Sequence, residues 1–155
     1  YLDEWLAVPD GARRDLAKLS TTPNASAWGN TTWRGLRALA GYARDRKEGW
    51  DGGGFWQWCE SGRPGTWPAT VKKLSMTESD SVLNSSRHYD ARLFPVDEKC
   101  DRSGRVHMVA HLKIAEGGGN LAPRVYFLDD TAGTTGKVHV GFVGPHYLVP
   151  NKSTN

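Results

Sequence analysis

Between Arg105 and Ala115 apolar and polar side chains alternate almost without exception. Val106, Met108, Ala110, Leu112 and Ile114 occupy one set of positions; Arg105, His107, Val109, His111 and Lys113 occupy the other. A period of two predicts a β-strand with one buried face. Lys137 to Val143 repeats the pattern, with Val138, Val140 and Phe142 opposite Lys137, His139 and Gly141. Arg124 to Asp129 is a third strand of ambiguous register, its two sides being Arg124, Tyr126 and Leu128 against Val125, Phe127 and Asp129. Tyr89 to Phe94, ended by Pro95, is a fourth. The segments Gly117 to Asn120 and Thr131 to Gly136 are turn-like and short enough for hairpins, which predicts antiparallel pairing.

The first half follows a helical period instead. Pro9 and Asp10 open a turn into a helix over Arg13 to Leu19, with Leu16 and Leu19 on one face. A longer helix is capped by Thr31 or Thr32, carries Trp33, Leu36, Leu39, Ala40 and Ala43 at helical spacing, and stops at Gly49. Gly54 to Glu60 reads as a helical turn burying Phe55 and Trp58, and Pro68 and Thr77 read as helix starts, the second with Asp80 at capping-box spacing. The expected fold is therefore α+β, with N-terminal helices packed on one face of a C-terminal antiparallel sheet of about four strands.

Composition sharpens the division. All seven Trp fall in residues 1–67 and all five His in residues 68–155, although charge is even, at 9 basic and 8 acidic side chains against 11 and 9. The expectation is one domain over 1–155 with a Trp-rich helical half and a His-containing β half, since 155 residues suffice for one core. Hydrophobic residues at 38% and charged residues at 24% exclude a disordered chain, and no apolar run reaches the roughly 20 residues of a membrane span. Two cysteines, Cys59 and Cys100, are too few for a disulfide scaffold and favour a cytoplasmic reading. The Asn-x-Ser/Thr triplets at Asn24, Asn30, Asn84 and Asn151 then read as chance. A start at Tyr1 without Met suggests a piece of a larger protein, and 12 Arg to 8 Lys with a single Ile, Ile114, suggests a GC-rich bacterial source.

The net charge of +3 hides a local concentration. With helices over the apolar face, the other face is expected to be open and to display Arg105, His107, His111, Lys113, Lys137 and His139, with Arg124 and Tyr126 as additions. Acidic residues are absent from the polar positions of the two alternating strands. Arg and Lys supply charge for an anion, and imidazoles supply donors or a ring for a base. His146, just past the last strand beside Gly144 and Pro145, joins the candidate binding residues. On the long helix, Arg34, Arg37, Arg44 and Lys47 form a basic row that reads as a solvated face partly paired with Asp45 and Glu48, ahead of a phosphate-facing one.

Other motifs fail. Thr131 to Val138 lacks the first Gly and the Ser/Thr of a phosphate-binding loop, and it joins two strands. Asp97-Glu98-Lys99 has the spacing of a metal-dependent nuclease but sits in a turn-like segment. His107 and His111 with Asp129 or His139 cannot share one zinc ion, because four residues on a regular strand span about 13 Å. No cofactor or metal is expected. The sequence thus predicts a module that binds an anionic ligand, nucleic acid first, with no membrane partner. The alternative is a metal-independent ribonuclease in which His107, His111 and His139 transfer protons while Lys113, Arg105 or Lys137 stabilises charge. A protein-interaction domain working through the Trp-rich half is the third reading.

Overall fold

A computed structural model describes residues 2–19, 25–115, 122–146 and 149. After a 3-10 turn at Leu2–Glu4 come β1 (Leu6–Ala7), α1 (Asp10–Leu19), α2 (Ala25–Lys47), α3 (Phe55–Glu60) and β2 (Leu74–Ser75). Two short helices follow, α4 (Asp80–Leu83) and α5 (Ser86–Asp90), and then β3 (Leu93–Pro95), β4 (Arg105–His107), β5 (Ala110–Lys113), β6 (Pro123–Asp129) and β7 (Val138–Pro145). The fold is α+β. Its main sheet has five strands in the order β1-β7-β6-β5-β2, and β3 pairs with β4 in a separate antiparallel ribbon. β1 runs parallel to β7, so the sheet is mixed, and two of its strands come from segments too short to show a period of two.

α2 forms where the apolar spacing predicts it but begins at Ala25: Ala25 and Ala27 are strong helix formers, and the helix runs through Gly29 and Asn30 without a proline to stop it. Thr32 is therefore buried in mid-helix and Trp33 stays half exposed. Past its end Gly49 takes φ +109°, a conformation glycine adopts without strain. Leu36, Leu39, Ala40 and Ala43 pack with Phe55 and Trp58 against Leu112, Val125, Phe127 and Val140 in the larger core. α2 approaches the sheet closely at Gly35, where a Cβ would lie 2.6 Å from Leu112 Cδ1.

The opposite face of the sheet is not open. Phe94, Met108, Tyr126, Phe142 and Val149 form a second core there, with Val96, Val106 and Leu128 packed against it. Two interruptions of regular strand geometry create it. The stretch Arg105 to Ala115 breaks after His107, so β4 pairs with β3 while β5 stays in the main sheet; Val106 and Met108 join the second core, Leu112 and Ile114 the first. On β7 the register jumps between the Tyr126–Phe142 and Phe127–Val140 pairs, leaving Gly141 as the extra residue of a bulge. Phe142 thereby lands on the side of His139, opposite Val138 and Val140. A Cβ at Gly141 would meet Met108 Sδ at 2.5 Å and Phe94 Cβ at 2.7 Å. Gly141→Ala is expected to cost about 1–3 kcal/mol in denaturant unfolding, the range of an overpacked core; a variant as stable as the wild type would show that the bulge tolerates bulk.

Other expectations shift locally. Tyr89 lies in α5, and of the predicted strand only Leu93 and Phe94 are extended, with Pro95 continuing β3. No helix starts at Pro68 or Thr77; α4 begins at Asp80 after Ser79 as N-cap. Both Cys59 and Cys100 are free thiols. Among the described residues no helix is long and apolar enough to cross a membrane. The connection Gly117 to Asn120, the side chains of Leu16 and Leu19, and Asn24, Tyr147 and Asn151 lie outside the described residues.

Candidate functional site

Strand pairing sets the candidate residues in two neighbouring rows. Ser75 on β2 is opposite His111 on β5, which is opposite Tyr126 on β6; one step along, Lys113 is opposite Arg124. Partners across antiparallel strands point the same way, so His111, Lys113, Arg124 and Tyr126 share a face, which settles the register that the sequence left ambiguous for 124–129. The loop after β2 folds over this corner and closes a pocket of about 360 Å³, lined by Ser75, Thr77, Glu78, Ser79, His111, Lys113 and Arg124. That volume is at the lower end of small-ligand sites, roughly 300–1,000 Å³.

The charges of this corner do not balance. The Glu78 carboxylate is buried and already taken, by Arg92 Nε and by the Tyr126 hydroxyl, which donates at 2.7 Å. Arg92 spends its other nitrogens on the carbonyls of His88 (2.8 Å) and Val149 (2.9 Å). Glu78 and Arg92 neutralise each other, leaving Lys113 and Arg124. Like charges directly opposite on paired strands are destabilising. Burial holds the Lys113 ammonium below its usual range, and the Arg124 guanidinium adds to the effect. Among the described residues Arg124 Nη1 makes only long contacts, 3.3 Å to Tyr126 Oη and 3.4 Å to His111 Nε2. Lys113 donates one bond, at 2.8 Å, to the Val71 carbonyl.

His111 is 1% exposed, stacked on Tyr126 with ring centroids 4.6 Å apart. Its Nδ1 lies 2.8 Å from the Val109 carbonyl, an acceptor only, so Nδ1 carries the proton and Nε2 offers a lone pair beside Arg124. Burial pushes the imidazole down to about 4. His146 is pushed to about 4 as well, by burial and then by Arg124 and Arg92; its Nε2 is enclosed without a hydrogen-bond partner among the described residues. Both rings are neutral at pH 7. The unfolded chain protonates first as pH falls, so their contribution to stability is complete above about pH 6.5 and is lost towards pH 4. For His111 the full loss is roughly 3 kcal/mol, with a smaller loss of the same sign from His146. Denaturant midpoints should fall across that window, and less steeply in His111→Gln; an equal slope in the variant would remove His111 as the cause.

The remaining candidates lie elsewhere. His107, on β4, stacks on Tyr89 at 3.8 Å and meets Asp90 Oδ1 at 3.0 Å. Arg105 is exposed at the far end of that strand. Lys137 donates to the Asp3 carbonyl at 2.8 Å and lines a different cleft with His139 and Asp97. His139 is buried and meets Thr135 Oγ1 at 2.7 Å, and that hydroxyl donates to Asp130 Oδ2 at 2.5 Å. Cys100, Asp130 and His139 place one ligand atom each within 4.8 Å of one another, a set a divalent metal could use. Burial and then Asp130 raise the Cys100 thiol to about 11, which keeps it protonated. Asp97, first of the nuclease-like tripeptide, accepts the Lys99 backbone N–H at 2.8 Å and so stabilises a turn.

The three imidazoles of the nuclease reading are thus separated: His107 in the ribbon, His139 beside Asp130, and His111 in the pocket. Sequence reasoning missed Glu78 and Arg92, which no spacing links to the strands. Acids are absent from those strand positions, but the end of α5 supplies the Asp90 carboxylate to His107, and the turn after β6 supplies Asp130, through Thr135, to His139. Of the described strand residues, Lys113 and Arg124 keep a surplus of charge. No protein-family model, curated protein or solved structure matches the chain.

Proposed function

We propose that the domain binds an anionic ligand, a phosphate group of nucleic acid first, in the pocket of His111, Lys113 and Arg124. One observation carries the reading: two part-buried cations stand directly opposite each other on paired strands, and the nearest carboxylate is consumed by Arg92. An anion between them would turn a destabilising pair into two charge-assisted contacts. Thr77 and Ser79 add hydroxyls at the rim, and the neutral His111 avoids a third repelling charge. Bases cannot stack on the sheet, whose face is covered, so the pocket suits a phosphate group and its immediate neighbours. The test is binding of a short single-stranded oligonucleotide across salt concentrations. Affinity should fall with salt, with a slope near 0.7 per phosphate contacted; binding that ignores salt would sink the reading.

The second reading, a metal-independent ribonuclease, is favoured by the fixed tautomer of His111, whose Nε2 lone pair stands beside Arg124 as a general base would stand beside a phosphate. Its acid partner is the weaker half, because His146 is also neutral at pH 7 until a bound phosphate raises it. This reading predicts EDTA-resistant cleavage of RNA but not DNA, faster at pH 5 than at pH 7, and removed by His111→Ala. Intact RNA after long incubation at both pH values would leave binding alone.

A further inference from the structure

A second basic site lies around the sheet edge from the pocket. The exposed row on α2 also borders a cleft: Arg34, Arg37 and Arg44 line a space of about 530 Å³ whose other wall is the 64–68 loop and Lys73. No carboxylate lines it. Buried Asp45 accepts from Trp58 Nε1 at 2.9 Å and from Arg44 and Arg63 at 3.3 and 3.2 Å, and so fixes one end of the row. Burial alone would raise the Asp45 carboxyl, but those bonds hold it below its usual range, so it stays charged and committed. The floor is formed by Trp58 and Trp67, 0% and 3% exposed. Low-dielectric walls strengthen the field that converging cations present to an anion.

We infer that this cleft holds the backbone phosphates of the same single-stranded nucleic acid whose other phosphate occupies the Lys113–Arg124 pocket. The two sites are joined at the sheet edge: Lys73 lines the cleft, its carbonyl accepts the Lys113 backbone N–H at 2.8 Å, and Lys113 lines the pocket. A strand crossing β2 would meet Lys113 and Arg124 on one side and Lys73, Arg37 and Arg34 on the other. The inference rests on the proposed reading of the pocket and extends it from a single phosphate to a track. Stacking on Trp58 or Trp67 is no part of it, since both rings are buried, so recognition would be electrostatic and indifferent to sequence.

The experiment compares Arg34→Gln/Arg37→Gln with Arg124→Gln, using a dinucleotide and a single strand of about 12 nucleotides, a length within the site sizes of single-strand binders. The double variant should bind the dinucleotide normally, yet lose about tenfold or more in affinity for the longer strand, with a salt slope lower by about 1.4. Both α2 side chains are exposed, so folding is not at stake. If the double variant binds the long strand as the wild type does, the track is overturned. If Arg124→Gln is silent while the double variant still loses the long strand, the cleft stands and the reading of the pocket falls.

Discussion

Arg92→Met is expected to destabilise the domain by about 3–5 kcal/mol, the cost of breaking a buried ion pair by removing one partner. Arg92 has no exposed surface, and Glu78 is nearly as buried. Loss of the guanidinium strands the Glu78 carboxylate with the Tyr126 hydroxyl as its one remaining direct hydrogen bond. It also leaves the His88 and Val149 carbonyls without their donors and removes the cation 5.7 Å from the Tyr126 ring centroid. Each such orphan costs on the order of 1–3 kcal/mol. Glu78→Gln alone should cost less, because an amide can still accept from Arg92. The double variant should be more stable than the sum of the singles, since neither then leaves a buried charge unpaired. Chemical denaturation measures all three; an Arg92→Met variant within 1 kcal/mol of wild type would mean that the pair does not hold the pocket wall in place.

Arg124→Gln should act in the opposite sense on stability and strongly on binding. It removes one of two cations that face each other across β5 and β6, so thermal stability should hold or rise slightly, most visibly at low salt. Binding should weaken about 10- to 100-fold, equivalent to one charge-assisted hydrogen bond of roughly 1.5–3 kcal/mol. Lys113→Gln should weaken binding less, because a lysine is a point charge without the planar fork, and Lys113 also gives up its bond to Val71. A residue kept for function at some cost in stability behaves in this way. Loss of stability together with unchanged affinity would make Arg124 a structural residue.

The sequence made the rows of the pocket legible but not its walls. Alternation placed His111 and Lys113 on one face and paired Arg124 with Tyr126, because side-chain direction in a strand depends only on parity; which face the second pair takes followed only from the β5–β6 pairing. Parity fails at a bulge or a break, and nothing in the pattern marked either the break after His107 or the bulge at Gly141. Those interruptions decide that Val106, Met108 and Phe142 build a second core where an open face was expected. Glu78 and Arg92 were invisible for another reason. Their contacts join residues 14 and 48 positions apart, as Arg92 to Glu78 and Tyr126 to Glu78, and such pairings follow from the packed fold rather than from local spacing. The Arg row on α2 was readable as a helix face, but the cleft opposite it depends on where the 64–68 loop returns.

The most direct test is a titration of isotope-labelled protein with inorganic phosphate and then with the dinucleotide, followed through the side-chain NMR signals of Arg124, Lys113 and His111. The account predicts saturable shifts at all three, and an upward move of the His111 pKa once an anion lies beside it. Unmoved signals at these groups, or saturable shifts confined to residues outside the pocket, would contradict it.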